Sequence, residues 1–272
     1  MGVGGNLMWT ALAREIYNIH QQKVVFIENG KIVQHDIFKN SPYISFSISN
    51  NTYKLYFKHG NLLPERITNN KWDVSQHTIV SRCNYYGVKN PNIRCDLFFS
   101  NQEVSKIQSI IQQLPKKFIV IEPHAKTSWC QHKQYPIEKW QNIVNHIYSK
   151  IPIVQMSISG KKVLNNVIDI SKKISNFREA CLLLKYCKLF ISTEGGLMHG
   201  CNAVNTPCII IFAPLFDPKF TKYNNVIDIW VKDAHHYNCF KEGKCETCLK
   251  LMDQHNEQEV IDKINQYISD KI

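Results

Sequence analysis

The sequence lacks the features that carry a chain into or across a membrane. None of its apolar runs reaches the roughly 20 residues that a membrane-spanning helix requires. Its first residues, Met1 to Asn6, have neither the basic region nor the apolar region of a secretory signal. Asn6 also stands where an N-myristoylation signal requires Ser or Thr. We therefore expect a cytoplasmic protein.

The sequence also lacks concentrated positive charge, although its formal net charge is +11, from 33 Lys and Arg against 22 Asp and Glu. The basic residues are scattered in pairs such as Lys116–Lys117 and Lys161–Lys162, without an arginine-rich arm. Such pairs are typical of a solvated surface. The net charge favours polyanions in general, including diphosphates and anionic lipid headgroups. We expect no nucleic-acid partner, and a peripheral contact with the anionic inner face of a membrane stays open.

A regular metal-binding pattern is absent as well. Ten cysteines are present, and three of them form a Cys-x5-Cys-x2-Cys group of Cys239, Cys245 and Cys248. His235 and His236 lie just upstream. A structural zinc ion needs four well-placed ligands, whereas this group has irregular spacing and no certain fourth ligand. We expect free thiols, as in a reducing compartment, and no bound metal.

Apolar runs and amphipathic segments alternate along most of the chain. Its 272 residues, 44% of them hydrophobic, suffice for one large core or two modest ones. Runs such as Lys23 to Glu28 and Phe118 to Glu122 predict strands, and the amphipathic segments between strands predict helices. This alternation favours parallel sheets with helices on both faces. Pro115 to Lys117 has the pattern of a hinge, so we predict two domains, residues 1–115 and 116–272.

One stretch, residues 191–201, has the pattern of a ligand-binding junction. An apolar strand that ends near Ile191 is followed by Gly195 and Gly196, and then by a segment compatible with a helix. Glycines let the backbone approach a ligand, and the free N–H groups of a helix start suit a phosphate. His199 would project from the first turn, where it could donate a hydrogen bond to an anion. A glycine pair also serves simply to turn the chain at many such junctions.

The following strand favours the ligand-binding interpretation. Thr206–Pro207 precedes the apolar run Cys208 to Phe212, which stops at Ala213–Pro214. Two consecutive parallel strands would therefore end in loops at the same edge of a sheet. That edge is where open α/β sheets bind ligands.

The run from Phe118 to Ile264 resembles the C-terminal half of glycosyltransferase family 9, the bacterial heptosyltransferases of lipopolysaccharide synthesis and their relatives. The family pattern is Asp-Ser/Thr-Gly-Pro-Met-His, an Ala-rich helix, Gly-Thr-Pro, an apolar strand and Phe-Gly-Pro. The matching positions here are residues 194–199, 205–207 and 212–214, with the spacing kept and several identities changed. The resemblance implies a GT-B-like fold of two Rossmann-like domains, with a nucleotide-sugar donor bound to the C-terminal one.

The resemblance also implies which residues hold the donor. The family has Pro-Gly-Ala after the first strand of this half and Lys-x-Trp-Pro before the next helix, which correspond to residues 123–125 and 133–136. Lys133 is thus the implied phosphate ligand, with Lys126 as a rival, and Glu194 would cap the helix or bond a donor hydroxyl. The implied donor site comprises Pro123, His124, Lys133, Glu194, Gly195, Gly196, Met198 and His199. No cofactor is implied.

The first half matches the family least. The family loop Gly-x-Gly-Asp-x-Leu corresponds to a glycine loop over Gly2 to Met8, without the strand that precedes it in the family. Gly5 stands where the family has its proposed general base, an aspartate, and the amide of Asn6 cannot take a proton. Other acid or base residues of this half are Glu15, Glu28, Asp36 and His59. Nothing in the sequence places them in a cleft, so the catalytic residue is unknown.

The resemblance therefore predicts a glycosyltransferase that moves a heptose or related hexose from a nucleotide-diphosphate donor to a glycan or glycolipid acceptor. Helix N–H groups and cationic side chains would neutralise the leaving diphosphate without a metal. The changed base position keeps a second interpretation open, a degenerate GT-B protein that binds a nucleotide or a partner without catalysis. A nucleic-acid-binding protein would use the +11 charge, but the sequence has no identifiable motif for it.

Overall fold

The computed structural model describes residues 2–56, 66–67, 71–126, 130–157, 160–241 and 243–272. Its helices are α1 Val3–Leu7, α2 Trp9–His20, α3 Thr78–Tyr85, α4 Asn101–Ile111, α5 Ile137–Ile147, α6 Phe177–Leu184, α7 Gly196–Val204, α8 Glu246–Gln254 and α9 Gln258–Lys271. Its strands are β1 Lys23–Glu28, β2 Lys31–Ile32, β3 Thr52–Tyr56, β4 Arg66–Ile67, β5 Lys71–Trp72, β6 Ile119–Glu122, β7 Ile153–Gln155, β8 Ile168–Asp169, β9 Phe190–Thr193, β10 Cys208–Phe212 and β11 Val226–Trp230. Short 3₁₀ turns lie at Asp36–Phe38, Gln131–Lys133 and Pro218–Phe220. Within these described ranges, no helix is long and apolar enough to cross a membrane.

Six strands of the second half form one parallel sheet, in the order β11-β10-β9-β6-β7-β8. β9 lies between β6 and β10, and its Ile191 is paired with Ile121 on one side and Ile209 on the other. Every residue of β9 and β10 is buried, as expected for a parallel sheet covered on both faces. This sheet confirms the predicted α/β class, with parallel strands flanked by helices.

A smaller sheet of order β2-β1-β3 belongs to the first half. β1 and β3 are parallel, with Val24 opposite Tyr53, and β2 is antiparallel to β1. β4 and β5 form a separate antiparallel pair. The strand predicted from Lys23 to Glu28 is confirmed as β1. The polar connection predicted over residues 59–70, including His59, lies mostly outside the described residues.

The two halves of the chain share a hydrophobic core. On one face of the large sheet, a single cluster contains Leu12 and Phe26 of the first half together with Val120, Phe190 and Ile210 of the second. The other face is covered by a cluster built from second-half residues. The halves are therefore joined by apolar packing, and the division at residue 115 stays a prediction.

Helix α7 packs against its neighbours at distances that only glycine permits. A Cβ at Gly200 would lie 2.4 Å from Sγ of Cys181 on α6, and one at Gly196 would lie 2.9 Å from Cγ1 of Val3 on α1. A Cβ at Gly4 of α1 would lie 2.5 Å from the ring of a histidine on α7. Such distances are below van der Waals contact, so larger residues would force the helices apart. Three glycines thus hold α7 between α1 and α6.

The segment predicted as a glycine loop, Gly2 to Met8, is instead helix α1. Gly2 is its N-cap, and the Met8 N–H donates to the carbonyl of Gly4 at 3.2 Å. Glycine has low intrinsic helix propensity, so the loop was the expectation from local sequence. The close contact with α7 stabilises the helix in spite of this propensity.

A buried arginine organises the start of α4. Arg178 of α6 donates from Nε to Oε1 of Glu103 at 2.6 Å and from Nη2 to Oε2 at 2.9 Å. It also donates to the Phe98 carbonyl, which therefore has a side-chain partner instead of a strand partner. The short strand predicted from Leu97 to Phe99 is wrong, since this segment pairs with no strand of the described ranges. Glu103 and Ser100 form a capping box that begins α4.

The Arg178–Glu103 pair makes stability depend on pH. Hydrogen bonds from Arg178 lower the pKa of Glu103 from its ordinary 4.5 to about 2. A carboxyl with a depressed folded-state pKa stabilises the protein above its ordinary pKa and loses this contribution as pH falls. We expect Glu103→Gln to lower the free energy of unfolding at pH 7 by about 2 kcal/mol. The difference in the free energy of unfolding between the parent protein and the variant should become smaller below about pH 4.5, as Glu103 of the parent protein becomes protonated.

Urea unfolding followed by circular dichroism at pH 7, 5 and 3 measures this deficit. Glu138→Gln is the matched control, because Glu138 also lies in the first turn of a helix but is exposed. The control should change the free energy of unfolding little at any pH. A Glu103→Gln deficit that stays constant from pH 7 to pH 3 would contradict the stabilising role of the charged pair.

Candidate functional site

A cleft opens at the carboxyl edge of the large sheet, beyond the ends of β9 and β10. The empty space within it, including space that is open to solvent, is about 220 Å³. The residues that line it are Lys133, Glu194, Phe212, Ala213, Leu215, Phe216 and Thr221. β9 and β10 are parallel neighbours, so the predicted shared edge of these two strands is confirmed.

An ion pair occupies one wall of this cleft. Lys133, from the 3₁₀ turn Gln131–Lys133, donates to Oε2 of Glu194. The two side chains are only 13% and 12% exposed, so water screens their attraction less than that of a surface pair. Lys126, the rival phosphate ligand, is exposed and does not line the cleft. The geometry therefore favours Lys133 as the cation of the site.

Glu194 does not cap helix α7. Its side chain contacts Lys133, and its backbone N–H donates to the Ile211 carbonyl at 3.0 Å. The N-cap is Gly195, without a side-chain cap. The predicted helix-capping role of Glu194 is therefore wrong, because its carboxylate is paired with Lys133.

The two glycines at the start of α7 have different surroundings. Gly195 has extended backbone, and a Cβ there would meet no atom closer than the Thr193 carbonyl oxygen at 3.9 Å. Gly196 packs against Val3. The first N–H groups of a helix have no acceptor within it, and the open space at Gly195 leaves room for an anion to reach them. The role of both glycines as backbone donors stays a prediction.

His199 and Met198 lie inside the protein. His199 is 4% exposed, and its Nδ1 lies 2.6 Å from the hydroxyl of the buried Tyr223. The same hydroxyl is 3.3 Å from Sγ of Cys95. Burial lowers the pKa of His199 to about 3, so its ring is neutral at pH 7. Met198 is fully buried in the core.

This placement corrects two of the implied donor contacts. In this structure His199 does not project toward a ligand, and Met198 has no exposed surface with which to touch one. The local pattern of a histidine in the first turn of a helix did not reveal that α1 covers this turn. The packing of Gly4 against the His199 ring is the physical reason for the burial.

Pro123 and His124 follow β6 at the same edge of the sheet, outside the wall of the cleft. Pro123 is buried, and His124 is half-buried with its Nε2 2.8 Å from the Lys162 carbonyl oxygen. The His124 N–H donates to Oε1 of Glu122 at 3.1 Å. These contacts place both residues near the site, while any contact with a donor stays a prediction.

Glu122 is a functional candidate that the motifs of the sequence did not reveal. It is the last residue of β6, and the hydroxyl of Ser192 on β9 donates to its backbone carbonyl. Burial raises the pKa of its carboxyl to about 8, so near neutral pH this acid is largely protonated and can donate or accept a proton. A carboxylate at the end of an otherwise apolar strand was the available signal.

Among the described residues, Glu15, Glu28 and Asp36 of the first half do not line the cleft. Glu15 is paired with Arg14, Asp36 lies at the surface with Lys39, and Glu28 ends β1. His59 lies outside the described residues. Within the described ranges, the structure therefore brings none of the proposed alternatives to the cleft wall.

The position implied for the general base cannot act as one. The carbonyl oxygen of Gly5 accepts a hydrogen bond from Nη1 of Arg82 at 2.6 Å. The side-chain oxygen of Asn6 is buried, and it has no hydrogen-bond partner among the residues that the structure describes. Neither residue offers a group that takes up a proton near neutral pH.

The cysteine group is more regular in space than in sequence. His236, Cys239, Cys245 and Cys248 each bring one ligand atom to a cluster in which all four atoms lie within 4.8 Å of one another. The sequence alone shows three thiols without a certain fourth ligand. His236 supplies the fourth ligand atom of the cluster. The lack of a fourth ligand is therefore not a reason to expect that no metal binds.

The sequence pattern of glycosyltransferase family 9 (heptosyltransferase) matches residues 68–250, more than half of the chain. The chain belongs to glycosyltransferase family 9. A search of the curated proteins finds no match.

Three solved structures show the same fold as this family 9 glycosyltransferase. The family 9 glycosyl transferase of Veillonella parvula DSM 2008 has a TM-score of 0.71 at 12% identity, over 99% of this chain and 95% of that one. Escherichia coli ADP-heptose lps heptosyltransferase II has a TM-score of 0.60 at 13% identity, over 98% and 96%. The iron-containing dodecameric glycosyltransferase TibC from enterotoxigenic E. coli H10407 has a TM-score of 0.68 at 15% identity, over 98% and 74%. TibC has also been solved with ADP-D-β-D-heptose.

The buried state of His199 in this family 9 glycosyltransferase can be tested by titration. Because burial lowers the pKa of His199 to about 3, we expect its ring to stay neutral from pH 8 down to pH 5. ¹⁵N NMR of the histidine rings, with the His199 signals assigned from a His199→Gln variant, measures this. A His199 titration with its midpoint near the ordinary 6.5 would instead mean that the ring reaches solvent and is available to an anion.

Proposed function

We propose that this family 9 glycosyltransferase transfers a heptose or a related hexose from a nucleotide-diphosphate donor to a glycan or glycolipid acceptor. The fold match to E. coli ADP-heptose lps heptosyltransferase II and to TibC, which was solved with ADP-D-β-D-heptose, makes an ADP-linked heptose our first candidate donor. The acceptor is the less defined partner, because the match to the family pattern begins only at residue 68.

The observation that carries this proposal is the placement of Lys133 beside the start of α7. The lysine lines the cleft at the carboxyl edge of the sheet, and the cleft lies where β9 leads into the N-terminus of α7. A lysine ammonium and the partial positive charge of a helix N-terminus both attract phosphate. Together they would stabilise the negative charge on the departing nucleoside diphosphate, so that this step needs no metal ion.

The ion pair with Glu194 gives the lysine a second role. Before donor binding, the carboxylate neutralises Lys133 inside a cleft that water screens poorly. A diphosphate would compete with Glu194 for the ammonium group. The displaced carboxylate would be repelled by the phosphates, and it would then be available to accept a hydrogen bond from a donor hydroxyl.

A degenerate binding protein is the second candidate, and the base position favours it. Gly5 and Asn6 offer no proton acceptor, and the described acids of the first half do not line the cleft. Turnover separates the two candidates. Release of ADP from ADP-heptose in the presence of a glycolipid extract supports the transferase, whereas tight donor binding without release of ADP supports the degenerate protein.

We expect the protein to bind one class of nucleotide-sugar selectively and to depend on Lys133 for this binding. Isothermal titration calorimetry with ADP-, GDP- and UDP-sugars measures the selectivity. Lys133→Ala should weaken binding by about 10-fold to 100-fold, the effect of losing a hydrogen bond to a charged group worth about 1.5–3 kcal/mol. Lys126→Ala is the matched control, since this exposed lysine of the same loop region does not line the cleft. A folded protein that binds no nucleotide-sugar would exclude the proposed donor site.

Glu194→Gln should have the opposite effect on a ligand without a sugar. The variant removes the charge that competes for Lys133, so ADP should bind several-fold more tightly, by about 1 kcal/mol. An ADP-sugar should gain less than ADP if Glu194 accepts a hydrogen bond from a donor hydroxyl. Calorimetry with both ligands on the parent and variant proteins measures this difference. Weaker ADP binding by Glu194→Gln would contradict the competition between Glu194 and phosphate.

A further inference from the structure

We propose that His236, Cys239, Cys245 and Cys248 bind one tetrahedral metal ion, zinc or iron(II), which holds two walls of the cleft together. Their four ligand atoms lie within 4.8 Å of one another. One imidazole nitrogen and three thiolates are a donor set that soft and borderline metals prefer. The metal site stands on this geometry alone, whereas its effect on donor binding rests on the proposed function.

The separations between ligand atoms fit a tetrahedron around a metal. Metal–sulfur bonds of about 2.3 Å and metal–nitrogen bonds of about 2.0–2.1 Å place neighbouring ligand atoms about 3.6–3.8 Å apart. Sγ of Cys239 lies 3.5 Å from Sγ of Cys245. Nε2 of His236 lies 3.6 Å from Sγ of Cys245 and 3.1 Å from Sγ of Cys248. A metal would therefore bind with only small movements of these side chains.

The surroundings also suit thiolate ligands. Cys245 is the N-cap of α8, and Cys248 lies in its first turn. Both are buried, at 6% and 0% exposure. The positive end of a helix dipole attracts negative charge, and a metal cation would supply the further positive charge that buried thiolates need. On binding, the three thiols would release three protons to solvent, and a divalent ion with three thiolates would leave a net charge of about −1 at the site.

The backbone of the ligand-bearing segment has conformations that need outside support. Asn238 and Phe240, on either side of Cys239, both have positive φ, at 49° and 55°. A residue with a side chain other than glycine pays about 1–2 kcal/mol for this left-handed region, and phenylalanine has no side-chain hydrogen bond to offset it. Coordination of Cys239 would add to the hydrogen bonds that hold this segment.

The same segment is hydrogen-bonded to two loops that line the cleft. The N–H groups of Cys239 and Phe240 donate to the carbonyls of Pro214 and Leu215, at 2.9 and 3.2 Å. Leu215 lines the cleft. A metal that fixes Cys239 would therefore fix the loop that follows β10.

A second connection leads to the lysine of the ion pair. The Gln131 N–H donates to the carbonyl of Gly243 at 2.9 Å, and Gly243 lies two residues before the ligand Cys245. Gln131 begins the 3₁₀ turn that ends at Lys133. The metal would thus act as a positioning element for Lys133, at a distance from the reacting atoms.

Metal content and cobalt spectroscopy test the site directly. We expect the full-length protein, purified under reducing conditions, to contain about one equivalent of zinc or iron by elemental analysis. After removal of this metal with a chelator, Co²⁺ should bind with the strong visible absorption of a tetrahedral cobalt–thiolate site. His236→Ala should lose at least tenfold in Co²⁺ affinity. A folded protein that neither carries a metal nor binds Co²⁺ would overturn the proposal.

Two variants serve as matched controls. His235 is an exposed neighbour of His236 outside the cluster, and Cys187 is a buried free cysteine elsewhere in the second half. His235→Ala and Cys187→Ser should keep the metal. Equal Co²⁺ binding by His236→Ala and the parent protein would overturn the ligand assignment. A disulfide between Cys239 and Cys245, detected by mass spectrometry of the protein as purified, would overturn it too.

The positioning role has its own readout. Removal of the metal from the parent protein should weaken ADP binding, measured by calorimetry, by about tenfold, and added Zn²⁺ should restore it. Metal binding with unchanged ADP affinity would overturn the positioning role and leave the metal site. A protein that binds the metal but never ADP would contradict the proposed donor site, and the cobalt result would still stand. These outcomes distinguish a wrong assignment of the metal site from a wrong assignment of the donor site.

Discussion

The close packing of helix α7 is the constraint on which the rest of the site depends. Gly4, Gly196 and Gly200 let α1 and α6 approach α7 at distances that a Cβ would prevent. The first turn of α7 is therefore held at the end of β9, next to the cleft, by tightly packed side chains rather than by a flexible loop. Dense packing of this kind transmits a shift in one helix to its neighbours. The position of the site is thus set by the close packing of these three helices.

The polar groups near helix α7 form two pairs, one buried and uncharged and the other an ion pair in the cleft wall. Below the cleft, His199 is buried beside the Tyr223 hydroxyl, and burial keeps its ring neutral by lowering its pKa. In the cleft wall, Lys133 and Glu194 neutralise each other. Although the formal net charge of the chain is +11, the lysine in the described cleft wall is paired with a carboxylate. A diphosphate would gain access to positive charge by exchanging partners with Glu194.

The segment that carries the cysteine cluster is hydrogen-bonded to both walls of the cleft. Its hydrogen bonds reach the Pro214–Leu215 loop on one side and, through Gly243, the turn that carries Lys133 on the other. A metal in the cluster of His236 and three cysteines would link these two sets of hydrogen bonds. Donor binding and metal binding would then be coupled through one short segment of chain.

The sequence by itself determined the α/β class, the strands that carry the cleft and the family, because apolar periodicity and motif spacing are local properties that survive as linear patterns. It also indicated Lys133 as the candidate phosphate ligand, through the spacing of the family motif. Only the tertiary structure decided that Gly2 to Met8 is a helix and that His199 is buried beneath it, since both depend on contacts between segments about 190 residues apart. The fourth ligand of the cysteine cluster and the raised pKa of Glu122 were likewise decided by burial and proximity. These quantities arise from packing in three dimensions, which no local pattern of residues encodes.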